Sequence, residues 1–340
     1  MSSPSGGILM CFVYLTEPGT QLSKRGGTYV VTKEDERLYS IPAETIEGIV
    51  LLGSVQISSQ AAADLLRRQI PAYWLTGKGQ YCGCFQPPSG QQVLKQQKQV
   101  LLQGSPFSLA IGEKIVAAKI HNQRTLLQRY NRTAKSQKVV DIIQQLKALQ
   151  KSLIKVDDKN KLLGIEGIAA KYYFSALSDM ICPEFAFSGR NRRPPKDPFN
   201  AMLSLGYTLL GHEVYTALMI QGLHPYFGSL HKLRNGHPAL VSDLLEEWRP
   251  VIVDAMVWSL IQHREIRPEH FTGRSSGKGI YLNEEGRKIF LRGYEKKMRT
   301  LYLRNGTKDT LRHHVIQQGY AYSRAIMNED ASLYDPYVLR

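Results

Sequence analysis

The sequence predicts an α+β protein, in which a small N-terminal β-sandwich-like domain is followed by a larger, all-helical domain. The first observation is a series of short segments rich in β-branched and aromatic residues, separated by turn-forming residues. The second is a Gln-Pro-Pro-Ser-Gly segment at residues 86–90, which is typical of a linker. The third is the helical spacing of apolar residues beyond that segment. We therefore expect domains at residues 1–88 and 89–340.

The first domain contains four predicted strands and one predicted helix. The strands are the apolar segments at residues 9–15, 28–32, 48–52 and 72–75. Turn chemistry separates them, as in the Glu-Pro-Gly and Gly-Gly sequences at residues 17–19 and 26–27. The helix covers residues 59–68, with Ser58 or Ser59 as the capping residue.

The second domain is predicted to be helical. Asp197 and Pro198 mark a helix start, because a carboxylate can cap the first turn and proline is accepted at the first helical position. The other helices are segments with few glycines or prolines and with apolar residues three and four apart. The predicted helices lie at residues 91–103, 113–130, 134–154, 165–180, 199–221, 241–260 and 283–305.

Positive charge is concentrated in the second domain. The chain of 340 residues has 44 Lys and Arg against 29 Asp and Glu, a formal net charge of +15. Residues 1–95 contribute +1 of this charge and residues 96–340 contribute +14. Because each phosphate neutralised by Lys or Arg releases condensed counterions, the asymmetry favours a polyanion as partner. The alternative is a solvated basic surface without a partner.

The composition excludes several classes of protein. With 43% hydrophobic residues the chain can bury a core, so it is not disordered as a whole. No apolar run approaches the roughly 20 residues needed to cross a membrane, and the N-terminus lacks the features of a signal peptide. Four cysteines in a chain of this length do not make a disulfide framework. We expect a cytoplasmic protein without membrane contact.

Acidic residues and a histidine in the helical part are the candidates for chemistry. Glu166 stands among apolar and small residues at the start of a predicted helix, where a buried charge needs a partner or a metal ion. His231 closes a glycine- and proline-containing stretch, and Asp243 and Glu246 follow three apart on one helix face. Mixed nitrogen and oxygen ligands of this kind suit Mg²⁺ or Mn²⁺ in phosphate chemistry.

Each of these residues also has a structural interpretation. A carboxylate at a helix start is stabilised by the helix dipole, by about 0.3–1 kcal/mol. Asp243 and Glu246 are compatible with a solvated helix face, and His231 with a turn histidine that has found its hydrogen bonds. A zinc site of His224, His231 and His237 is a further alternative, although their spacing fits no common pattern.

Residues 222–250 contain the most characteristic motif, Gly-Leu-His-Pro-Tyr-Phe-Gly-Ser-Leu-His followed by Ala-Leu-Val-Ser-Asp-Leu-Leu-Glu-Glu-Trp-Arg-Pro. This stretch resembles the signature of the CRISPR-associated adaptation integrases, the Cas-one proteins. Further segments resemble the same family in the expected order. They are LSKRGGTY at 22–29 with IEGIVLLGSVQISSQ at 46–60, KIHNQRTL at 119–126, GIEGIAAKYYFSAL at 164–177 and RPPKDPFNAMLSLGYTLL at 193–210.

The resemblance implies a catalytic metal site. In this family a Glu, a His and an acidic residue hold the ion, which gives these roles to Glu166, His231 and Glu246, with Asp243 as the alternative third ligand. The implied cofactor is Mg²⁺ or Mn²⁺. The implied reaction is transesterification, in which the 3′-hydroxyl of a short foreign DNA duplex attacks a phosphodiester at the edge of a CRISPR repeat.

The resemblance also implies partners. Family members form homodimers, a role expected here for residues 1–88, and assemble with a small CRISPR-associated subunit, the Cas-two protein, on double-stranded DNA. Two alternative functions would use the same features: a metal-dependent nuclease in DNA repair and a non-catalytic DNA-binding scaffold. Basic residues beside the motif helices or in glycine-rich loops are the candidate DNA contacts: Arg192, Arg193, Lys196, Arg234, Arg274 and Lys278.

Overall fold

Two four-stranded sheets and one helix form the N-terminal part of the protein in a computed structural model, and helices dominate the rest. The described residues cluster into two units that divide between residues 89 and 90. The predicted α+β class is confirmed. The structure describes residues 11–77, 79, 81–85, 92–191, 194–273, 279–304 and 306–340.

The smaller unit consists of short strands, as predicted, but four of its strands lie outside the predicted segments, at residues 20–25, 36–42, 56–57 and 81–85. The first three contain many polar residues, so their composition did not mark them, whereas the fourth is apolar and was missed. Within the described residues, the elements are β1 (Cys11–Leu15), β2 (Thr20–Arg25), β3 (Thr28–Lys33), β4 (Glu36–Pro42), β5 (Ile46–Leu52), β6 (Gln56–Ile57), α1 (Ser59–Arg67), β7 (Ala72–Leu75) and β8 (Tyr81–Phe85).

The strands of this unit form two sheets around one core. The first sheet has the order β1-β5-β7-β8, with three parallel strands and β8 antiparallel to β7. The second has the order β4-β3-β2-β6, in which only β6 and β2 are parallel. Apolar side chains of both sheets and of α1 are buried in a common cluster. Its members include Leu15, Leu22, Val31, Ile49, Leu51 and Leu65.

A buried carboxylate on α1 is a charged centre of the smaller unit. Asp64 accepts hydrogen bonds from the Tyr29 hydroxyl at 2.8 Å and from Arg68 Nε at 2.9 Å, and Lys24 Nζ lies 2.5 Å away. The hydrogen bond from Lys24, supported by those from Tyr29 and Arg68, holds the pKa of Asp64 at about 2 despite its burial. We call these four residues the Asp64 cluster.

The larger unit is built from helices and two short hairpins, β9 (Phe271–Thr272) with β10 (Tyr281–Leu282) and β11 (Leu301–Arg304) with β12 (Thr307–Thr310). The hairpins were not predicted. In the described part of this unit, the α-helices are α2 (Val93–Leu101), α3 (Pro106–Ala134), α4 (Gln137–Ser152), α5 (Lys159–Met180), α6 (Pro198–Ile220), α7 (Ala239–Arg249), α8 (Ala255–Gln262), α9 (Glu284–Met298) and α10 (Leu311–Asn328).

Side-chain caps fix the helix starts that matter for the site. Ser105, Asp158 and Asp197 precede α3, α5 and α6, and each accepts a hydrogen bond from the backbone amide three residues later, at 3.4, 3.1 and 2.7 Å. The predicted capping role of Asp197 is therefore confirmed. Because α5 begins at Lys159 and not at residue 165, Glu166 lies in the helix interior. The helix-dipole interpretation of its charge is wrong, since that effect is confined to the first turn.

The predicted helix at residues 241–260 is interrupted in the structure. α7 ends at Arg249, a π-helical turn covers Pro250–Asp254, and α8 continues from Ala255. Proline has no N–H to donate to the preceding turn, which accounts for the break in the α-helical pattern. The predicted helix at residues 283–305 also ends early, at Met298, and α10 was not predicted.

Two further sequence expectations concern the whole chain. Across the described residues, no helix has the length and apolar character needed to traverse a lipid bilayer. No disulfide joins those cysteines whose side chains the structure describes, Cys82, Cys84 and Cys182.

Candidate functional site

The loop between α6 and α7 is folded around the carboxylate of Asp243. This buried residue of α7 accepts hydrogen bonds from the backbone amides of Ser229, Leu230 and His231, at 2.5, 2.8 and 2.8 Å. It accepts a further hydrogen bond from His231 Nδ1 at 2.7 Å. Gly228 permits this packing, because a Cβ at that position would lie 2.5 Å from Asp243 Oδ2. The four contacts occupy both oxygens of Asp243.

The contact with Asp243 determines the orientation of the His231 ring. Since a carboxylate only accepts hydrogen bonds, Nδ1 carries the proton and Nε2 carries the lone pair. Within the described part of the chain, Nε2 has no hydrogen-bond partner. An imidazole that a carboxylate holds at one nitrogen and that is open at the other is the usual form of a metal-binding histidine.

Lys119 on α3 joins Glu166 on α5 to Glu246 on α7. Its ammonium group donates a hydrogen bond to Glu166 Oε1 and lies 2.5 Å from Glu246 Oε2. Lys119 is only 4% exposed, and the side chains of Glu166 and Glu246 are 20% and 2% exposed. Two carboxylates this close and this buried require a cation between them, and the lysine provides it.

Glu246 is held in its ionised form. Burial raises the pKa of this carboxyl, but the positive charges of Arg249 and Lys119 outweigh burial and hold the pKa at about 2. Arg249 donates a hydrogen bond to Oε1 of Glu246. The other oxygen, Oε2, is buried and makes no hydrogen bond among the described residues, although it pairs with the Lys119 charge. We call Lys119, Glu166, Glu246 and Arg249 the Lys119 cluster.

The three predicted metal ligands are neighbours, but they do not form a preformed cage. Throughout the described ranges, no group of three or more His, Cys, Asp or Glu side chains is arranged to hold a metal ion. His231 is near enough to Glu246 for the two groups to interact electrostatically. The ammonium group of Lys119 lies between the two carboxylates, at the place where their charges could meet a divalent ion.

Aromatic and acidic side chains pack around the guanidinium group of Arg249. The ring of Tyr207 on α6 lies 4.9 Å from the Arg249 guanidinium and 5.2 Å from that of Arg190, both within cation–π distance. The Tyr207 hydroxyl donates to Asp254 at 2.6 Å, and Tyr173 donates to the same carboxyl at 3.0 Å. Burial raises the pKa of Asp254 to about 6 although both tyrosines lower it. These contacts fix the direction of Arg249.

The C-terminal residues hold the other side of α7. Glu247, next to Glu246, is fully buried and accepts hydrogen bonds from Gln318 Nε2, the Tyr334 hydroxyl and the backbone amide of Tyr337. Burial raises the pKa of Glu247 to about 7, even though these donors lower it. The last turns of the chain therefore help to fix the helix that carries Asp243 and Glu246.

A cavity of about 580 Å³ opens beside the Lys119 cluster. Its volume lies in the range of ligand pockets, roughly 300–1,000 Å³. Glu166, Lys119 and Arg249 form part of its wall. Other cations in the wall are Lys138, Lys171 and Arg190. The excess of cations over carboxylates makes the cavity suitable for an anionic ligand.

The structure describes only part of the predicted DNA-binding set. Lys196 and Arg234 are exposed on the larger unit. The remaining residues of that set lie outside the described residues: Arg192, Arg193, Arg274 and Lys278. The zinc alternative has no support among the described residues, since no group of three or more His, Cys, Asp or Glu side chains there is arranged to hold a metal ion, and Tyr226 N donates to His224 Nδ1 at 3.4 Å.

Sequence reasoning missed the two cations of the Lys119 cluster. Lys119 falls in the buried stripe of α3 together with Ile111 and Ile115, and a lysine in an apolar stripe is a signal for a carboxylate partner. Asp254 carries a similar signal, because it ends the apolar run that begins at Val251. Arg249 has no such signal, since an arginine within a predicted helix is ordinary.

Comparison with known sequences gives consistent matches. A family model described as "CRISPR associated protein Cas1" matches residues 13–296. The chain is 31% identical over 354 residues to the CRISPR-associated endonuclease Cas1 3 of Thermus thermophilus, with 100% of both chains covered. It is 34% identical over 293 residues to a CRISPR-associated exonuclease Cas4/endonuclease Cas1 fusion of Rhodospirillum rubrum. That match covers 84% of this chain and 50% of the fusion.

Solved structures give matches of the same kind. A Cas1 protein from Thermotoga maritima superposes with a TM-score of 0.80 at 25% identity, covering 97% of this chain and 99% of that one. A chain of a Cas6-RT-Cas1–Cas2 complex superposes with a TM-score of 0.83 at 27% identity. The second match covers 100% of this chain but 37% of the larger one.

Proposed function

We propose, from the premise that this chain belongs to the Cas1 family of CRISPR-associated proteins, that Glu166, His231 and Glu246 form its catalytic site. The predicted family and activity are confirmed: the chain is an endonuclease and integrase of CRISPR adaptation. The observation that carries the site proposal is the convergence of Glu166 and Glu246 on Lys119, beside a histidine that Asp243 orients.

The donor set of the proposed site fits Mg²⁺ or Mn²⁺. Two carboxylates and one imidazole nitrogen are ligands that these ions accept. Glu246 Oε2 is a buried, ionised oxygen whose neighbour is the Lys119 ammonium at 2.5 Å, a cation that an ion could replace, whereas both oxygens of Asp243 accept hydrogen bonds from the loop that carries His231. Glu246 is therefore the better third ligand. When bound, the ion would polarise the phosphodiester and lower the pKa of the attacking hydroxyl.

The protein groups would bind and orient the reacting phosphodiester. Arg249 and Lys119 bring positive charge to the place where the pentacoordinate phosphorus accumulates negative charge. Arg249 is already held by Glu246, whereas Lys119 would have to leave its place between the two carboxylates when an ion binds there. One phosphorus–oxygen bond forms to the incoming 3′-oxygen and one breaks to the leaving 3′-oxygen, which regains a proton. The number of phosphodiester bonds is unchanged.

The remaining assignments follow from the family and the charge distribution. Residues 89–340 would be the catalytic domain, and residues 1–88 would support a homodimer. Double-stranded DNA and the small Cas2 subunit would be the partners, since a chain of similar fold occurs in a complex that contains Cas2. Lys196 and Arg234, both exposed, would contact DNA phosphates. Because its substrate would be the CRISPR array, we propose that the protein acts in the cytoplasm.

A strand-transfer assay tests this proposal. The protein, with and without Cas2, is mixed with a labelled short duplex, a plasmid that carries a repeat array, and Mn²⁺ or Mg²⁺. We expect label to become covalently joined to the plasmid, and we expect joining to be lost in His231→Ala and Glu166→Ala. DNA binding should stay nearly unchanged in both variants, because the basic surface remains.

A matched control separates the site from the surface charge. Glu285 is an exposed glutamate on α9, so Glu285→Ala should join DNA like the wild type. Shortened label without joining would favour a nuclease. Binding without any chemistry would favour a scaffold. Equal loss of binding and joining in Glu166→Ala would give Glu166 a structural role.

A further inference from the structure

Aromatic side chains share the wall of the cavity beside the Lys119 cluster with the cations. Tyr207 and Phe174 both line this cavity. The ring of Tyr207 is already used, because the guanidinium groups of Arg249 and Arg190 lie 4.9 and 5.2 Å from its centre. Among the described residues, no cationic group lies over the ring of Phe174. The two rings therefore differ in whether a charged partner within the protein already uses them.

The contacts of Phe174 with other rings leave it without a parallel stacking partner. It meets Tyr173 and Phe187 at interplanar angles of 66° and 83°, with ring centroids 5.2 and 6.5 Å apart. Phe187, in contrast, is buried and stacks on Phe199 at 4.4 Å and 11°. Within the described ranges, no ring stacks in this parallel way on Phe174, and the residue is half-buried. The cavity is thus bordered by an aromatic surface that the fold does not use for stacking.

Phe174 lies on the same helix as Glu166, at a distance that suits a nucleotide. Both residues belong to α5 and both line the cavity. They are eight residues apart, which is about 12 Å along the helix axis. The wall residues four positions before and four positions after Phe174 are the small Ala170 and Ser178. A nucleotide or dinucleotide with its phosphate at the Lys119 cluster can therefore reach the ring.

The combination of charges and an aromatic ring restricts the ligand. The cations of the wall need an anionic group, whereas Phe174 offers a flat apolar surface. A small inorganic anion would not use the ring, and an apolar ligand would not pair with the cations. A nucleotide of a DNA strand carries both a phosphate and a base with a π-face. Since every base has such a face, stacking of this kind does not depend on sequence.

We infer that the base of a nucleotide beside the reacting phosphodiester stacks on Phe174 in this cavity. This inference rests on the proposed function of the Lys119 cluster. Two DNA strands supply such a nucleotide: the incoming strand has one at its 3′-end, and the CRISPR repeat has one at its edge. The shared chemistry is a base that has left its own stack. Phe174 would hold the strand in place without selecting the sequence.

Binding of intact and abasic DNA, measured by fluorescence anisotropy without divalent metal, tests the inference. One pair of probes is a short duplex whose joining strand ends in an intact or an abasic nucleotide, with the 3′-hydroxyl kept. The other pair is a repeat-edge duplex with or without the base beside the phosphodiester to be joined. We expect the wild type to bind the intact form of at least one pair about five- to 100-fold more tightly, the range for a base stacked on an aromatic side chain. The pair that shows this preference identifies the strand.

Variants of the ring make the result decisive. Phe174→Leu should bind intact and abasic DNA equally, with the affinity that the wild type has for abasic DNA. Phe174→Met keeps an apolar side chain without a ring and takes the place of Phe174→Leu if that variant fails to fold. Phe174→Tyr keeps the ring and should keep the preference. Tyr320→Leu is the matched control, because it removes a ring that is 54% exposed on α10 and is not part of the described cavity wall. It should bind like the wild type.

Three outcomes would overturn the inference. The wild type could bind the intact and abasic forms of both pairs equally, which would mean that no base reaches the ring. Phe174→Leu could keep the preference, which would mean that another group holds the base. Phe174→Leu could weaken intact and abasic DNA to the same extent, which would mean a structural role. None of these outcomes bears on the proposed metal site, whose failure is seen separately when His231→Ala still joins DNA.

Discussion

The Asp64 cluster and the Lys119 cluster are built from similar side chains and differ in what they leave open. Asp64 is a single carboxylate that Lys24, Tyr29 and Arg68 surround, with contacts of 2.5, 2.8 and 2.9 Å. The Lys119 cluster sets two carboxylates against one lysine and one arginine. One of its carboxylate oxygens makes no hydrogen bond in the described structure, and the cluster borders a cavity.

This difference separates a structural ion cluster from a reactive one. In the Asp64 cluster the donors outnumber the carboxylates, so the acceptor atoms are used and the group is suited to stabilise a fold. In the Lys119 cluster two acidic groups compete for the same ammonium group, so a further cation would be stabilised there. The number of residues or their burial would not distinguish the two sites, since Asp64 and Glu246 are both buried.

Removing the lysine is the change that should alter the reactive cluster most. In Lys119→Met, the buried carboxylate of Glu246 and the partly buried carboxylate of Glu166 lose the cation between them. We expect the free energy of unfolding without metal to fall by about 3–5 kcal/mol, the effect of leaving buried charge unpaired. Mn²⁺ should restore part of this loss, and it should stabilise Lys119→Met more than it stabilises the wild type. Guanidinium unfolding with and without Mn²⁺ measures both effects.

An exposed lysine pair provides the control for this change. Lys161 contacts Asp157 at 2.6 Å on the surface, so Lys161→Met should change stability little and should not create a response to Mn²⁺. If Lys119→Met is as stable as the wild type and indifferent to Mn²⁺, the lysine is not what holds the two carboxylates together.

Changing Asp243, the residue that orients His231, should have the next largest effect on the reactive cluster. The carboxylate of Asp243 accepts four hydrogen bonds, from three backbone amides and from His231 Nδ1. In Asp243→Asn, one of its oxygens is replaced by an NH₂ group, which cannot accept them, so the loop and the ring lose their fixed position. We expect DNA joining and Mn²⁺ affinity to fall about 10–100-fold, as for other residues that orient a metal-binding histidine. Joining rates over a Mn²⁺ titration measure this change.

A second Asp–His pair in the chain gives the comparison for Asp243→Asn. Asp309 lies 3.5 Å from His313 on the surface of α10 and its hairpin, away from the Lys119 cluster. Asp309→Asn should leave the Mn²⁺ dependence of joining unchanged. A wild-type response in Asp243→Asn would show that the backbone alone holds His231.

The smallest effect on chemistry is expected in the Asp64 cluster. Asp64→Asn weakens hydrogen bonds to charged donors and should lower the free energy of unfolding by about 1–3 kcal/mol. DNA joining per folded molecule should stay at the wild-type level. Urea unfolding together with the joining assay tests both statements. Loss of joining in the folded variant would contradict the separation of structural and reactive clusters.

The same residue predicts how stability depends on pH. The pKa of Asp64 is held at about 2, below the ordinary value of about 3.9 that it has in the unfolded chain. Its stabilisation is therefore complete above pH 4 and is lost as the pH falls through 2. The difference in stability between the wild type and Asp64→Asn should shrink over this range. A constant difference would assign the effect to packing.

Much of the fold was predictable, and the misses have identifiable causes. Apolar spacing located most helices, and Asp197 with Pro198 located a helix start correctly. The start of α5 was placed too late because Lys159 and Lys161 are polar, although Asp158 before them is a good cap. The π-helical turn leaves no mark in hydrophobic spacing, so residues 241–260 read as one uninterrupted helix.

The acidic residues of the candidate site could be predicted from the sequence, and its basic residues could not. Glu166, His231 and Glu246 came from motifs, because their spacing is local or resembles a family. Which acid supports the histidine could not be read from spacing, since Asp243 and Glu246 share one helix face. The pairing of Lys119 with two distant carboxylates depends on how α3, α5 and α7 pack, and a sequence contains no direct record of that packing.

The π-helical turn at Pro250–Asp254 has a consequence for how insertions and deletions should be judged in this region. It takes about one residue more per turn than an α-helix, so it absorbs one extra residue between α7 and α8. Deleting one residue there would restore ordinary α-helical winding and leave the buried face of α8 in place. The same deletion in the regular turns of α7 would instead rotate α8 by roughly 100° about its axis and turn Met256, Val257 and Leu260 out of the core in which they are buried.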